Sequence, residues 1–113
     1  MTPLERLGLE VAAYTLIGSR AQASALCALL DANGRPVGWR HLARARPWRT
    51  SADAEEMTTK AMQVRICLLR NAVEDLGHPN AIVTQGQGVD LAYSLPEPGR
   101  TAIMARMIEE AST

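Results

Sequence analysis

The side chains with the clearest binding chemistry lie within residues 54–76, at spacings that place them on one face of a helix. The polar strip consists of Thr59, Lys60, Gln63, Arg70, Asn71 and Glu74, with Cys67 among them. Its cationic, amide and thiol groups are the candidates for contact, namely Lys60, Gln63, Cys67, Arg70 and Asn71. An amide side chain can form paired hydrogen bonds with the edge of adenine, and a guanidinium group can do so with guanine. The stretch therefore predicts a polar strip able to contact base edges in the major groove of double-stranded DNA.

Groups that support catalysis or metal binding are sparse in the sequence. The two histidines, His41 and His78, have no carboxylate or cysteine partner at ligand spacing. Cys27 and Cys67 form no CxxC pair and fall within apolar helical patterns, so we interpret them as small buried or half-buried thiols. No nucleophile, base and orienting group occur as a set. We therefore expect no enzyme, no metal site and no cofactor.

The charge balance of the whole chain argues against nucleic-acid binding, but its distribution favours one basic region. Lysine and arginine number 12, as do aspartate and glutamate, whereas affinity for DNA comes largely from neutralising phosphates. Residues 32–52 contain five arginines and no acidic side chain. A neutral total can therefore conceal a basic face, on which Arg40 and Arg44 are the best candidates for phosphate contacts.

Length and composition predict a single domain, residues 1–113, of the mainly helical class. Hydrophobic residues make up 47 % of the chain and aromatic residues only 4 %, which favours closely packed helices rich in Leu and Ala. The sequence has no apolar run of about 18 residues and no basic start followed by an apolar block. We therefore expect a cytoplasmic protein without a membrane partner.

The long helix predicted over residues 54–76 has two apolar stripes beside the polar strip. Asp53 and Glu56 form a capping box at its start. The stripe expected to pack on the core consists of Met62, Ile66, Leu69, Val73 and Leu76. The second stripe consists of Met57, Ala61, Val64, Leu68 and Ala72.

A β-hairpin is predicted over residues 82–95, after a segment rich in turn residues. Residues 82–84 and 89–95 have the composition of strands, and Gly86 and Gly88 between them supply the positive φ angles of a tight hairpin. If the hairpin lies beside the long helix, it can reach the DNA backbone or minor groove next to the major groove that the helix enters.

Residues 3–14 carry the signals of an N-terminal helix. Thr2, Pro3 and Glu5 are a cap, a first-turn proline and the acidic residue of a capping box. The apolar stripe that follows consists of Leu4, Leu7, Val11 and Tyr14. Residues 7–16 also fit an alternating strand, so helix and strand both stay open.

Two further helices are predicted before the long one. Residues 20–32 follow a capping signal at Ser19, and Asn33 and Gly34 end this helix because both tolerate the left-handed conformation. A short extended connection leads to a second helix over residues 38–46, which presents its arginines outward.

The C-terminal segment, residues 100–111, is predicted as a final helix with an apolar seam. The seam consists of Ile103, Met104, Met107, Ile108 and Ala111. It follows a core that residues 16–95 should already complete, so it needs a covering surface. It can fold back onto the N-terminal helix of the same chain, or pair with its copy in a two-fold homodimer.

The order of helix, short helix, long helix and hairpin, with these residues, resembles the winged helix-turn-helix domains of OmpR/PhoB-type bacterial response regulators over residues 16–93. The first helix of that family ends in Leu-Leu followed by Gly-Arg-x-Val, as residues 29–30 and 34–37 do. Its recognition helix reads V-x-V-x-I-x-x-L-R-x-x-L, against MQVRICLLRNAV at residues 62–73. Its wing reads T-V-R-G-x-G-Y, against VTQGQGV at residues 83–89.

The resemblance implies a mainly α fold with a small β-hairpin, a winged helix-turn-helix with extra N- and C-terminal helices. It implies sequence-specific binding of double-stranded DNA by a transcriptional regulator. Major-groove contacts then fall at Lys60, Gln63, Arg65, Cys67 and Arg70, and wing contacts fall at Thr84, Gln85 and Gln87. The helical pattern adds Asn71 to this set, and it places Arg65 nearer to the core stripe than to the polar strip.

Departures from the family favour an alternative. Gln85 stands in place of the wing arginine, Val89 in place of the following aromatic residue, and Leu68 where the family often has a base-reading arginine. We also expect no phosphoacceptor receiver domain in a chain of this length. The alternative is a winged-helix protein-interaction module that docks on another transcription component and has little affinity for DNA.

Overall fold

The computed structural model describes residues 3–44 and 59–112, which form five α-helices and one antiparallel sheet of three short strands. The helices are α1 (Pro3–Ile17), α2 (Arg20–Asp31), α3 (Trp39–Arg44), α4 (Thr59–Asp75) and α5 (Gly99–Ala111). The strands are β1 (Val37–Gly38), β2 (Val83–Gln85) and β3 (Ala92–Ser94). The prediction of a mainly helical chain with a small hairpin is confirmed for these two ranges. None of their helices combines the length and the apolar character needed to cross a membrane.

The N-terminal segment is the helix α1, so the strand alternative is wrong. Its predicted apolar stripe is also wrong at two positions, because Val11 is 52 % exposed and Tyr14 is 40 % exposed. The buried positions are Ala12 and Ala13, and the side chains before Gly8 lie outside the described residues. Small side chains let α1 lie close to α2 and α5, whereas the sequence pattern selects a face by its largest apolar residues.

The helix α2 begins and ends where its capping signals predict. The Ser19 side-chain oxygen accepts a hydrogen bond from the Gln22 amide at 3.4 Å. Asn33 and Gly34 follow the helix with φ angles of 54° and 86°, the left-handed conformation that closes a helix. Buried residues of α2 form the centre of the core, among them Ala23, Leu26, Leu29 and Leu30.

The strands pair in the order β1-β3-β2, and both pairings are antiparallel. The extended connection predicted after α2 is therefore a strand, with Val37 opposite Tyr93. Thr84 lies opposite the same tyrosine on the other side of β3. The Trp39 amide donates a hydrogen bond to the Leu91 carbonyl at 2.9 Å. The sheet thus joins the start of α3 to the hairpin.

The second strand of the hairpin is shorter than the sequence predicts. Residues 89–95 are predicted as one strand, but Gly88–Asp90 form a 3-10 turn and β3 comprises only Ala92–Ser94. The φ angles of Gly86 and Gly88 are 71° and 58°. Both glycines therefore adopt the positive φ expected of them, but the chain reverses over a longer stretch than a tight turn.

The helix α4 packs through the stripe predicted for it. Its buried residues are Met62, Ile66, Leu69 and Val73, and the helix contacts α2. Leu76, the last predicted member of the stripe, follows the end of the helix and is half-buried. The predicted start at residue 54 and the capping box of Asp53 and Glu56 lie outside the described residues.

The helix α5 packs against α1 of the same chain, the first of the two arrangements predicted for its seam. Ile103 and Met107 are buried and Met104 is half-buried, whereas Ile108 is 52 % exposed and Ala111 is exposed. Most of the seam is thus covered within the chain, and a homodimer would have to use the exposed remainder.

Arg100 fastens the start of α5 to the end of α2. Its Nε donates to the Leu30 carbonyl at 3.1 Å, and its Nη2 donates to Oδ1 of Asn33 at 2.6 Å. The Leu30 carbonyl also accepts from the Asn33 amide at 3.2 Å, so this arginine adds a second hydrogen bond at the last turn of α2. The C-terminal helix is therefore tied to the core by polar as well as apolar contacts.

We predict opposite effects of alanine at two glycines. A Cβ at Gly86 would collide with the carbonyl oxygen of Asp90 and lie 3.0 Å from its carbonyl carbon, at a positive φ. Gly86→Ala should therefore lower the free energy of unfolding by about 1–3 kcal/mol. Gly8 lies within α1 with nothing near its position for a Cβ, so Gly8→Ala should raise that free energy by about 0.5–1 kcal/mol.

Urea denaturation of the two variants and the parent chain tests this prediction. Equal stability of the parent and Gly86→Ala would contradict the hairpin conformation described above.

Candidate nucleic-acid interface

The polar strip predicted on the long helix faces outward. Lys60, Gln63, Cys67 and Asn71 are all exposed. They recur at intervals of three or four residues, so they share one side of α4, away from the stripe that packs on α2. Four of the predicted contact residues are therefore together on one surface.

Aliphatic side chains lie among these polar groups. Val64 is 56 % exposed and Leu68 is 50 % exposed. Ala61 is exposed and Ala72 half-buried, so most of the second apolar stripe belongs to the outer surface; Met57 lies outside the described residues. We name this surface the α4 face, formed by Lys60, Gln63, Val64, Cys67, Leu68 and Asn71.

Arg70 is turned toward the hairpin and away from the α4 face. Its Nε donates to the Ile82 carbonyl at 3.3 Å, and its Nη2 donates to the hydroxyl oxygen of Thr84. The central carbon of its guanidinium lies 6.0 Å from the centre of the Tyr93 ring, within the range of a cation–π contact. Arg70 therefore holds the hairpin beside α4, and one donor edge of its guanidinium is committed to that contact.

Tyr93 supports Arg70 from within the sheet. The residue is 1 % exposed, and burial raises the pKa of its phenol while the positive charge of Arg70 opposes that rise. Its hydroxyl is buried without a hydrogen-bond partner in the described ranges. The ring face, and not the hydroxyl, is thus the part of Tyr93 that meets the guanidinium.

Arg65 also lies apart from the α4 face. Its side chain is half-buried, and its Nη1 is closed off from solvent with no acceptor among residues 3–44 and 59–112. This placement agrees with the helical pattern, which puts Arg65 near the core stripe. The groove contact that the family resemblance implies for it gains no support from this position.

The hairpin presents its predicted contact residues at the surface. Thr84, Gln85 and Gln87 are all exposed. Gln85 ends β2, and Gln87 precedes the 3-10 turn in an extended conformation without a capping side-chain hydrogen bond. The Thr84 hydroxyl accepts from Arg70 and can still donate, and Gln85, Gln87 and the acidic Asp90 are further exposed polar side chains of the hairpin.

The helix α3 supplies a third set of polar groups. Arg40 is exposed, and its guanidinium carbon lies 5.4 Å from the ring centre of Trp39. Arg44 is the last residue of α3, and its side chain is outside the described part of the chain. Arg40 is therefore a surface cation on a short, well-anchored helix, as a phosphate contact requires.

Other chemistry is limited within the described ranges. They contain no cluster of three or more His, Cys, Asp or Glu side chains suited to a metal ion. Neither cysteine forms a disulfide, and Cys27 is buried whereas Cys67 is exposed on the α4 face. The interpretation of small buried or half-buried thiols therefore holds for Cys27 and is wrong for Cys67, because no other element of residues 3–44 and 59–112 covers its side of α4.

An open cleft of about 300 Å³ lies between the turn after α4 and the start of α5. His78 and Glu97 are its titratable residues. Hydrogen bonds from the side chain and amide of Thr101 lower the pKa of the Glu97 carboxyl, and the amide nitrogen lies 3.0 Å from that carboxyl. The Glu97 carboxylate therefore accepts a hydrogen bond from the first turn of α5, and its role is structural.

Sequence reasoning missed two properties of this surface. It identified Val64 and Leu68 as an apolar stripe but could not determine their exposure, which depends on whether another element covers them. It also grouped Arg70 with the outward residues. The available signal was the position of Arg70 at the edge of the polar strip, one residue after the buried Leu69.

No family model, curated protein or solved structure matches this chain.

We predict that Arg70 and Thr84 act as one unit. Arg70→Ala and Thr84→Val each remove the hydrogen bond that joins α4 to β2, so their combined effect on the free energy of unfolding should be smaller than the sum. A double-mutant cycle should give a coupling of about 0.5–3 kcal/mol. Arg106→Ala is the control, because its partly exposed ion pair with Glu110 at 3.4 Å lies within α5 and should contribute less than about 1 kcal/mol. Strict additivity of the first two substitutions would contradict the contact.

We predict that Tyr93 makes the fold sensitive to alkali. Because its pKa is raised in the folded chain, the unfolded chain loses this proton first as the pH rises through about 10. The free energy of unfolding should therefore decline above that pH, and the decline should be shallower in Tyr93→Phe. The variant should be at least as stable as the parent at neutral pH, since it removes a buried hydroxyl that lacks a partner. Urea denaturation between pH 7 and 11 measures both effects, and identical slopes would count against the assignment.

Proposed function

We propose that this chain is a winged helix-turn-helix transcriptional regulator that binds double-stranded DNA. In this proposal α4 is the recognition helix and enters the major groove, while the β2–β3 hairpin is a wing on the adjacent backbone or minor groove. The observation that carries the proposal is the outward α4 face, which combines base-compatible polar groups with a hairpin held at its side by Arg70.

The dimensions of an exposed helix suit this role. An α-helix with its side chains is about 10–12 Å across, and the major groove of B-DNA is about 12 Å wide. The α4 face is formed by Lys60 to Asn71 without another described element covering its exposed side chains. The helix can therefore enter the groove without rearrangement of the core.

The charges suggest which part of α4 faces DNA. Lys60 lies near the first described turn of the helix, whereas Glu74 and Asp75 are exposed at its end. Carboxylates are repelled by phosphates, so the end of the helix should lie farther from the duplex than its beginning. Arg40 and Arg44 of α3 are the proposed backbone contacts.

The proposed contacts divide into three groups. The phosphate group comprises Lys60 of α4 with Arg40 and Arg44 of α3. The base-edge group is on α4 and comprises Gln63, Cys67 and Asn71. The wing group comprises Thr84, Gln85 and Gln87. Arg70 lies between them as the residue that positions the wing.

We predict that duplex binding depends on the α4 face and on salt. Lys60→Ala should reduce the slope of log affinity against log salt by about one unit, because one phosphate contact is lost. Asn71→Ala should weaken binding to a preferred sequence by about 1–3 kcal/mol while affecting random duplex much less. Fluorescence anisotropy over a salt series measures both effects.

Two further variants make this test selective. Arg106→Ala removes a cation from α5 and should leave the salt slope unchanged. Gln85→Arg restores a cation to the wing and should steepen the slope by about one unit. Affinity that is independent of salt and of Lys60 would overturn the docking mode.

A second candidate function is a winged-helix module that binds another protein of a transcription complex. Exposed aliphatic side chains favour it, since Val64, Leu68 and Val89 are 56 %, 50 % and 77 % exposed. Apolar surface of this kind is common at protein interfaces as well as in contact with thymine methyl groups. Absence of binding to any duplex at low salt would favour this function over the first.

A further inference from the structure

Beside the exposed thiol of Cys67, the centre of the α4 face carries two kinds of side chain and no charge. Gln63 and Asn71 are exposed amides, and Val64 and Leu68 are exposed aliphatic groups. Both arginines of α4 lie off this face and are half-buried, and one of them is bonded to the hairpin. The surface that would meet base edges is therefore amide and aliphatic.

This combination matches one type of base pair. In the major groove adenine presents the N6 donor beside the N7 acceptor. An amide side chain can pair with both, because its oxygen accepts from N6 while its nitrogen donates to N7. Guanine presents two acceptors there, which an arginine with two parallel donors matches and an amide does not. Thymine adds a methyl group, which packs against an aliphatic side chain.

We infer that the α4 face recognises A·T base pairs in the major groove. Gln63 and Asn71 bind the edges of adenines, and Val64 and Leu68 pack against the methyl groups of thymines. The inference rests on the proposed function and specifies its DNA target class.

The arrangement of the four residues supports this assignment. Leu68 precedes Asn71 by one helical turn and Val64 precedes it by two, so both aliphatic side chains lie on the same side of the helix as this amide. An A·T pair likewise presents an adenine edge beside a thymine methyl group. The two amides are separated by eight positions, about 12 Å along the helix, which corresponds to roughly three to four base-pair steps of about 3.4 Å. The two adenines should therefore lie at the ends of a stretch of about four to five base pairs.

The first experiment is a binding selection with the full chain on a pool of random duplexes. We expect enrichment of a core of A·T pairs. The best duplex is then resynthesised with uracil in place of each thymine, which removes only the methyl group, and separately with 7-deazaadenine, which removes the N7 acceptor.

Uracil should weaken binding about fourfold for each contacted thymine, the effect expected of one buried methyl group. 7-Deazaadenine should weaken it at least about fivefold at a contacted adenine. Both changes alter only the major groove, so a contact of the hairpin with the minor groove or backbone should not respond to them.

Matched variants assign each effect to its side chain. Val64→Ala with Leu68→Ala should abolish the difference between thymine and uracil and keep the response to 7-deazaadenine. Gln63→Ala with Asn71→Ala should show the reverse. Ile108→Ala is the control for loss of an exposed aliphatic side chain, because it lies on α5 and should change neither response.

The outcomes separate this inference from the proposed function. Enrichment of a G·C core, or unchanged affinity on uracil and 7-deazaadenine duplexes, overturns the A·T assignment while DNA binding stands. Failure to bind any duplex at low salt overturns both. The assignment is supported if the aliphatic double variant loses only the response to uracil and the amide double variant loses only the response to 7-deazaadenine.

Discussion

The burial of one stripe on α4 is the constraint from which the other features follow. Met62, Ile66 and Leu69 are fully buried, and a side chain of this size contributes roughly 1.5–3 kcal/mol when it leaves water. The summed free energy of burying these three side chains exceeds that of any surface contact in the described part of the chain. The core stripe therefore determines how α4 is rotated about its axis. That rotation turns the α4 face outward and directs Arg70 sideways to the hairpin.

The hairpin depends on α4 in turn. A short strand pair is marginal alone, and here β3 is supported by β1 on one side and β2 on the other. Arg70 adds hydrogen bonds to β2 and a contact with the ring of Tyr93, whose strand is the middle one. Arg70 thus contacts the residue before β2, β2 itself and β3. This explains how a hairpin with an exposed tip keeps a defined position beside the helix.

Features set by local chemistry were predictable from the sequence, and those set by neighbouring elements were not. The Ser19 cap, the left-handed Asn33 and Gly34 and the core stripe of α4 depend on residues within one or two turns, and all are confirmed. The face of α1 is different, because Val11 is exposed where close approach of other helices selects alanines instead. In the candidate site, the exposure of Gln63 and Asn71 follows from the helical period. Arg70 turns away from the α4 face because it donates hydrogen bonds to the hairpin. No local sequence pattern predicts where the hairpin lies.

The neutral charge of the chain bears on how such a surface could distinguish DNA sequences. Non-specific affinity comes from phosphate contacts, each of which contributes about 0.9 to the salt slope. With Lys60, Arg40 and Arg44 as the proposed phosphate contacts, that slope would be about three, which implies weak binding to random duplex. Base-edge contacts, at about 1–3 kcal/mol for each good pair, would then supply a larger share of the total than in a strongly basic protein. If the proposed function holds, a surface of amide and aliphatic groups on a neutral chain would therefore favour selectivity over affinity, because little of its binding energy would be independent of sequence.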